Sequence, residues 1–128
     1  MISKLDHLIV AVNDLDEAES NYKKIFGIGP VWKGEHKELG TANTIFNFKN
    51  TYFELLSSKG SGLGADLVNN SISENGEGLI GQALTTENIN QTTKLLTEKG
   101  FSVTQPSEGI GKSSMNNEIR KWKNIFLP

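Results

Sequence analysis

The chain contains no cysteine, which excludes disulfides, thiolate metal sites and a cysteine nucleophile. That absence fits a reducing compartment, and the protein is read as cytoplasmic. Long apolar runs are missing too. The longest, Leu8-Ile9-Val10-Ala11-Val12, is far too short to span a bilayer. The opening residues, Met1 to His7, lack the layout of a signal peptide, so no membrane partner is expected. Nor is there an excess of positive charge. Thirteen Lys and Arg stand against 15 Asp and Glu, for a net charge of -2. No basic stripe stands out, which argues against nucleic acid as a partner.

What is present describes a globular chain. Of 128 residues, 36% are hydrophobic and 22% charged, and this length suits one domain. A chain of this size buries roughly two thirds of the surface exposed when unfolded. Leu5 to Val12 is a strand rich in β-branched residues. Asp14 follows as a helix cap with Glu17 three residues on, the spacing of a capping box. Leu15, Ala18, Tyr22, Ile25 and Phe26 form the apolar stripe of that helix, and Gly27 ends it. Strand-like stretches then appear at Val31-Trp32, Thr44–Phe48 and Thr51–Leu56, with a tight turn at Lys49-Asn50.

Ser57 to Gly78 is rich in Gly, Ser and Asn and reads as a linker, with a short helix at Ala65–Val68. Beyond it the opening pattern returns: a strand at Leu79–Leu84, a cap at Asn88 with Gln91 three residues later, and a helix ended by Gly100. An offset of 74 residues lays Asp14 on Asn88, Leu15 on Ile89, Glu17 on Gln91 and Tyr22 on Leu96. Matched caps and apolar positions indicate an internal repeat. Phe101–Thr104 is the next expected strand, a loop with Pro106, Gly109 and Gly111 follows, and Ile119–Phe126 is the last strand. Ferredoxin-like α+β domains also alternate strands and helices, but not with three strands after each helix.

Several stretches resemble glyoxalase-like domains of the vicinal-oxygen-chelate superfamily. They are Leu5–Asp16, His36 through Gly40–Asn43, Asn50–Leu56, Gly76–Leu79, and Arg120-Lys121-Trp122 running into Phe126-Leu127-Pro128. The resemblance implies an α+β fold of paired βαβββ modules forming a cupped mixed sheet. It places module one at about 1–57, the linker at about 58–77 and module two at about 78–128, in a single domain 1–128. The second module lacks its last strand. Metal-using members of the superfamily take a histidine from the first strand of a module and a glutamate from its last, positions matched here by His7 and Glu54. These two would hold a divalent metal (Zn, Mn, Ni or Fe), or Glu54 would act directly as a catalytic base. The second module departs from that pattern, because the repeat sets Gly81 opposite His7 and the final glutamate-bearing strand is missing. Two of four ligands remain, where catalytic zinc sites usually keep three. The ordinary alternatives are a hydrogen-bonded core histidine and a glutamate paired to a cation.

Other candidates would line the cup as ligand contacts. His36 and Asn43 lie in a Gly-, Thr- and Asn-rich stretch read as a loop. Arg120 and Trp122 share one face of the last strand and suit a carboxylate or aromatic ligand. Tyr52 and Trp32 are core aromatics or pocket walls. Gly60–Gly64 lacks the Lys-Ser/Thr pair of a phosphate loop, and no Ser-His-Asp arrangement stands out. Two functions fit: a lyase or related enzyme on a small oxygenated substrate, and a non-catalytic small-molecule binder of the sequestration or resistance type. A dimeric structural module is a third. The missing strand leaves an open sheet edge, which favours a homodimer.

Overall fold

The computed structural model describes residues 1–127; Pro128, named above with the terminal stretch, lies outside them. Seven strands and three helices follow in the order β1 (Ile2–Ala11), α1 (Leu15–Phe26), β2 (Trp32–His36), β3 (Thr41–Asn47), β4 (Tyr52–Ser58), α2 (Leu63–Asn75), β5 (Gly78–Thr86), α3 (Ile89–Glu98), β6 (Ser107–Ser113) and β7 (Ile119–Asn124). The strands form one curled mixed sheet, ordered β5-β1-β4-β3-β2-β6-β7. Only β1 and β4 run parallel. Among the described residues β5 and β7 are its two edges. No helix of the described residues is long and apolar enough to cross a membrane.

The two caps that the repeat pairs do the same job. The Asp14 carboxylate accepts from the Glu17 amide at 3.0 Å, and the Asn88 side chain accepts from the Gln91 amide at 3.0 Å. Each satisfies an amide that has no partner inside its helix.

Side chains alternate across a strand, so the central strands present two unlike faces. One face carries Val10, Phe46 and Leu55, which pack with Val12 into the core; Leu15, Ala18, Tyr22 and Phe26 close over it together with Phe53. Phe26 meets Phe46 and Phe53 edge-on, at centroid distances of 5.4 and 5.2 Å. The opposite face, turned into the cup, holds His7, Tyr52, Glu54, Asn43 and Trp32, set in one band by the pairings His7↔Tyr52, Ile45↔Glu54 and Trp32↔Ile45. This core belongs to the first half of the chain. In the second half Leu79, Leu84, Ile110 and Ile119 remain exposed.

Three elements differ from the sequence reading. The Gly/Ser-rich stretch is not only a linker, because α2 runs 13 residues, anchored by buried Ala65 and Val68. Its start docks on the turn before β3, where the Ala65 amide donates to the Leu39 carbonyl at 2.9 Å. A Cβ on Gly62 would lie 2.6 Å from the Leu39 carbonyl, so the glycine is needed for the approach, not for flexibility. Phe101–Thr104, expected as a strand, forms none, and the Gly-containing stretch expected as a loop is β6. Its glycines are covered by the Trp122 indole of β7, which supplies the packing surface that β6 itself lacks. The expected loop around His36 is the end of β2, a short turn, and the start of β3.

Because the core sits in the first half, Phe46→Ala is expected to cost roughly 3–5 kcal/mol. Ile110→Ala should stay within about 0.5 kcal/mol. Urea unfolding of both variants checks this, and equal losses would show that the second half is packed as tightly as the first.

Candidate active site in the sheet cup

Glu54 is the centre of the site. Its residue is buried, at 8% relative exposure, on the face away from the α1 core. A carboxylate there must be hydrogen-bonded to be tolerated. The Asn43 amide donates to Oε2 at 2.6 Å, and the Trp32 indole donates to the Asn43 oxygen at 3.1 Å. On its other side Oε1 lies 3.4 Å from His7 Nε2. The Asn43 bond is charge-assisted, a class worth about 1.5–3 kcal/mol.

His7 is fixed from three directions. Its ring stacks on Tyr52, with centroids 4.2 Å apart and planes 12° from parallel. Nε2 faces Glu54, and Nδ1 lies 2.8 Å from the Asp6 carboxylate. Adjacent strand residues normally point to opposite faces. Here the β1–β5 register shifts between Leu5 and His7, so Asp6 falls at a bulge and its carboxylate reaches the ring. Thr85 of β5 donates to the other Asp6 oxygen at 2.9 Å.

These contacts bias the charges. Burial alone would push the His7 imidazole down, but its bonds to Glu54 and Asp6 outweigh this and hold its pKa above the usual value. Burial works against the Asp6 carboxylate as well, and its bonds to His7, Thr85 and Tyr52 bring its pKa below the ordinary range. Tyr52 stays protonated far above the usual phenol range, because it is buried beside Asp6.

The remaining candidates lie across the sheet. His36 is buried, with Nδ1 2.8 Å from the Thr41 hydroxyl and its ring edge-on to Trp122 at 5.7 Å. Burial lowers its pKa, with the Glu54 charge opposing in part. The Arg120 guanidinium sits 4.6 Å above the Trp32 ring, and its Nε lies 3.3 Å from Glu118. A Cβ on Gly111 would lie within 3.4 Å of both indoles, which places Trp32 and Trp122 side by side. All seven residues singled out in the sequence therefore reach one connected band. Asp6 was missed, since strand alternation assigns it to the far face, and Trp32 was placed in the core first.

The band offers two free donors to a metal, His7 Nε2 and Glu54 Oε1, where a catalytic zinc site usually keeps three protein ligands. Behind them Asp6 holds Nδ1 of His7 and Asn43 holds Oε2 of Glu54, the kind of support that orients metal ligands, and Trp32 engages the Asn43 oxygen. Among the described residues no group of three or more His, Cys, Asp or Glu is placed to hold a metal ion. Two surface depressions lie elsewhere, one beside α3 at Thr93 and Pro106, the other between α2 and β5 at Ser71 and Leu79. Neither includes a residue of the band.

Residues 5–128 match the model of the glyoxalase-like domain, and the chain belongs to that family. Among solved structures it is similar in fold to a variant of Streptomyces coelicolor methylmalonyl-CoA epimerase in complex with 2-nitronate-propionyl-CoA. The two are 19% identical over 96% of this chain and 94% of that chain, with a TM-score of 0.73. The Mycobacterium tuberculosis methylmalonyl-CoA epimerase is 16% identical over 94% and 86%, with a TM-score of 0.72. A hypothetical protein from Staphylococcus aureus is 17% identical over 97% of this chain and 52% of that one, with a TM-score of 0.74. No curated protein matches the sequence. At these identities the likeness carries the fold and not the chemistry.

The two histidines give opposite pH dependences. Below 6.5 the unfolded chain takes up a proton that buried His36 resists, so stability falls with falling pH until its lowered folded pKa is passed. Above 6.5 the folded state still holds the His7 proton that the unfolded chain has lost, so stability falls as pH rises through the raised folded pKa. Urea unfolding across pH is expected to show both declines. His36→Asn should remove the fall that begins below 6.5, leaving the loss at lower pH where the Asp6 carboxylate takes up its proton, and His7→Asn should remove the alkaline-side fall. An alkaline limb unchanged in His7→Asn would show that the Asp6 and Glu54 contacts do not hold the ring.

Proposed function

We propose that the cup binds a small compound carrying a carbonyl and an anionic group, and that Glu54 moves a proton at the carbon next to that carbonyl. The observation that carries this reading is the buried Glu54 carboxylate, one oxygen oriented by Asn43 and the other facing His7 Nε2 at 3.4 Å. In the reaction Glu54 takes the proton, the electron pair of the C–H bond delocalises onto the carbonyl oxygen, and the proton returns to carbon. Arg120, above Trp32 on the same face, supplies the cation for the anionic end, and Trp122 and His36 form the wall beside it. The Streptomyces and Mycobacterium neighbours are epimerases, which supports an isomerase-type proton transfer over a lyase. The scheme needs no metal, and His7 Nε2 and Glu54 Oε1 are the two free donors the band would offer one. Non-catalytic binding is the other outcome, supported by the few ligating groups in the second half.

Both tryptophans of the chain lie in the band, so intrinsic fluorescence reports occupancy directly. Small 2-acyl carboxylates and their thioesters, tested in chelator, are expected to quench it. The α-proton of those that bind should exchange with deuterium in heavy water. Glu54→Gln should keep the quenching and lose the exchange by about 100-fold or more, the usual contribution of a positioned base. Binding without exchange in the parent leaves a sequestration protein, and no quenching by any member removes the reading.

The reading includes a homodimer. Edge strand β7 carries Arg120, Lys121 and Lys123, which repel a like strand, whereas edge strand β5 has no charged residue and exposes Leu79 and Leu84. Two copies pairing through β5 escape that repulsion. Light scattering should give twice the chain mass, with Leu84→Lys returning the monomer. A monomeric parent at high concentration removes the dimer.

A further inference from the structure

We infer that Trp32 and Trp122 form an aromatic floor for a flat ring system, and that the compound taken into the cup is an aryl-bearing carboxylate whose ring lies on Trp122 while its anionic group meets Arg120. The inference rests on the proposed function and deepens it, from any small anionic carbonyl compound to one with a planar aromatic end.

The floor begins with three absent side chains, at Gly34 of β2 and at Gly109 and Gly111 of β6. A Cβ on Gly34 would lie 2.6 Å from the Trp32 indole nitrogen, and one on Gly109 would collide with the indole nitrogen of Trp122. Any side chain at either place would lift an indole off the sheet. Glycine inside a strand weakens it, and its presence there marks a close approach. Here the approach is made by aromatic rings on the cup side.

The indoles are laid end to end. Trp122 has its nitrogen end over Gly109 and the far end of its six-membered ring over Gly111, so it runs along β6. Trp32 starts over Gly34 and reaches Gly111 with its own six-membered ring. The rings therefore meet at Gly111 and join β2 to β6 as one aromatic surface.

The two indoles are not equivalent. Trp32 is 2% exposed, bonded through its nitrogen to Asn43 and covered by the Arg120 guanidinium at 4.6 Å. Trp122 is only half-buried, on an edge strand, with His36 edge-on to it. Open aromatic surface thus belongs to Trp122, and the cation stands beside it, over Trp32. Arg120 bonds to Glu118 through Nε, which leaves its Nη atoms to fork onto a carboxylate. A flat ring on Trp122 turns its carboxylate toward that fork. Trp32, Asn43 and Glu54 form one chain of hydrogen bonds, so the base stands next to the floor.

Two acids of equal charge and similar size test the floor: flat 2-naphthoate and puckered decahydro-2-naphthoate. Neither carries a ketone, so neither depends on proton transfer by Glu54. The saturated acid is the more apolar, so burial alone favours it. Calorimetry with the parent should show 2-naphthoate binding about 5-fold or more tighter, the scale of an aromatic pair. Its ring protons should move upfield and show nuclear Overhauser contacts to the Trp122 indole. Trp122→Leu should abolish the preference, and Trp122→Phe, which keeps a ring, should restore most of it. Equal, weaker or no binding of 2-naphthoate by the parent overturns the inference, as does a bound naphthoate without contacts to Trp122; neither result needs a variant. A preference retained in Trp122→Leu overturns it as well. The two readings fail separately. Deuterium exchange of saturated 2-acyl carboxylates with no preference for naphthoate removes the aromatic floor alone. Preferred naphthoate binding with no exchange in any compound keeps the floor and removes the proton transfer.

Discussion

A carboxylate buried in the middle of a sheet constrains everything around it. Glu54 has a hydrophobic core on the far side of its own strand and little water on its own side, so its charge must be met by protein groups. Asn43 meets one oxygen, and Trp32 holds Asn43 in the orientation that lets its amide donate. Arg120 then rests on the Trp32 face. The same two-residue period that sends Val10, Phe46 and Leu55 under α1 sends His7, Glu54 and Trp32 to the cup. Core and site are thus two faces of one set of strands. A one-residue slip of register would bury the charges under α1 and expose the core.

The two halves share their caps but not their cores. Residues of the central cluster all fall between Val10 and Leu55, while the apolar residues of β5, β6 and β7 remain largely exposed. The second half is held mainly by strand pairing, β5 on β1 at one end and β6 on β2 at the other. Fewer buried contacts lower the cost of local opening, so the halves differ in rigidity. His7, Glu54 and Asn43 stand on the half that holds the central core cluster. Arg120 and Trp122 stand on the other half, on edge strand β7.

Much of this was legible in the sequence, for reasons that also explain what was not. Caps and helical stripes depend on local chemistry, so Asp14 and Asn88 disclosed the repeat, and with it the α+β class. Strand alternation likewise grouped His7 with Ile9, and Glu54 with Tyr52. Local rules fail where packing comes from a distant strand. β6 has glycines that read as a loop, and only the Trp122 indole laid over Gly109 and Gly111 makes a strand of it. α2 extends beyond its short apolar core because the Leu39 turn receives its first residues. Asp6 was lost to the alternation rule itself, since a bulge is defined by the partner strand and leaves no mark in the residues that form it.

Free and occupied atoms alternate around His7 and Glu54. Nδ1 of His7 is taken by Asp6, Oε2 of Glu54 by Asn43, and the Asn43 oxygen by Trp32. What remains between them is one gap, 3.4 Å wide, from Nε2 to Oε1. A divalent cation would need further donors around that gap, and the groups nearest to it are already committed to holding the pair in place. A proton needs only the two atoms. The bonds behind the pair keep His7 and Glu54 facing one another across that gap, with little access to water.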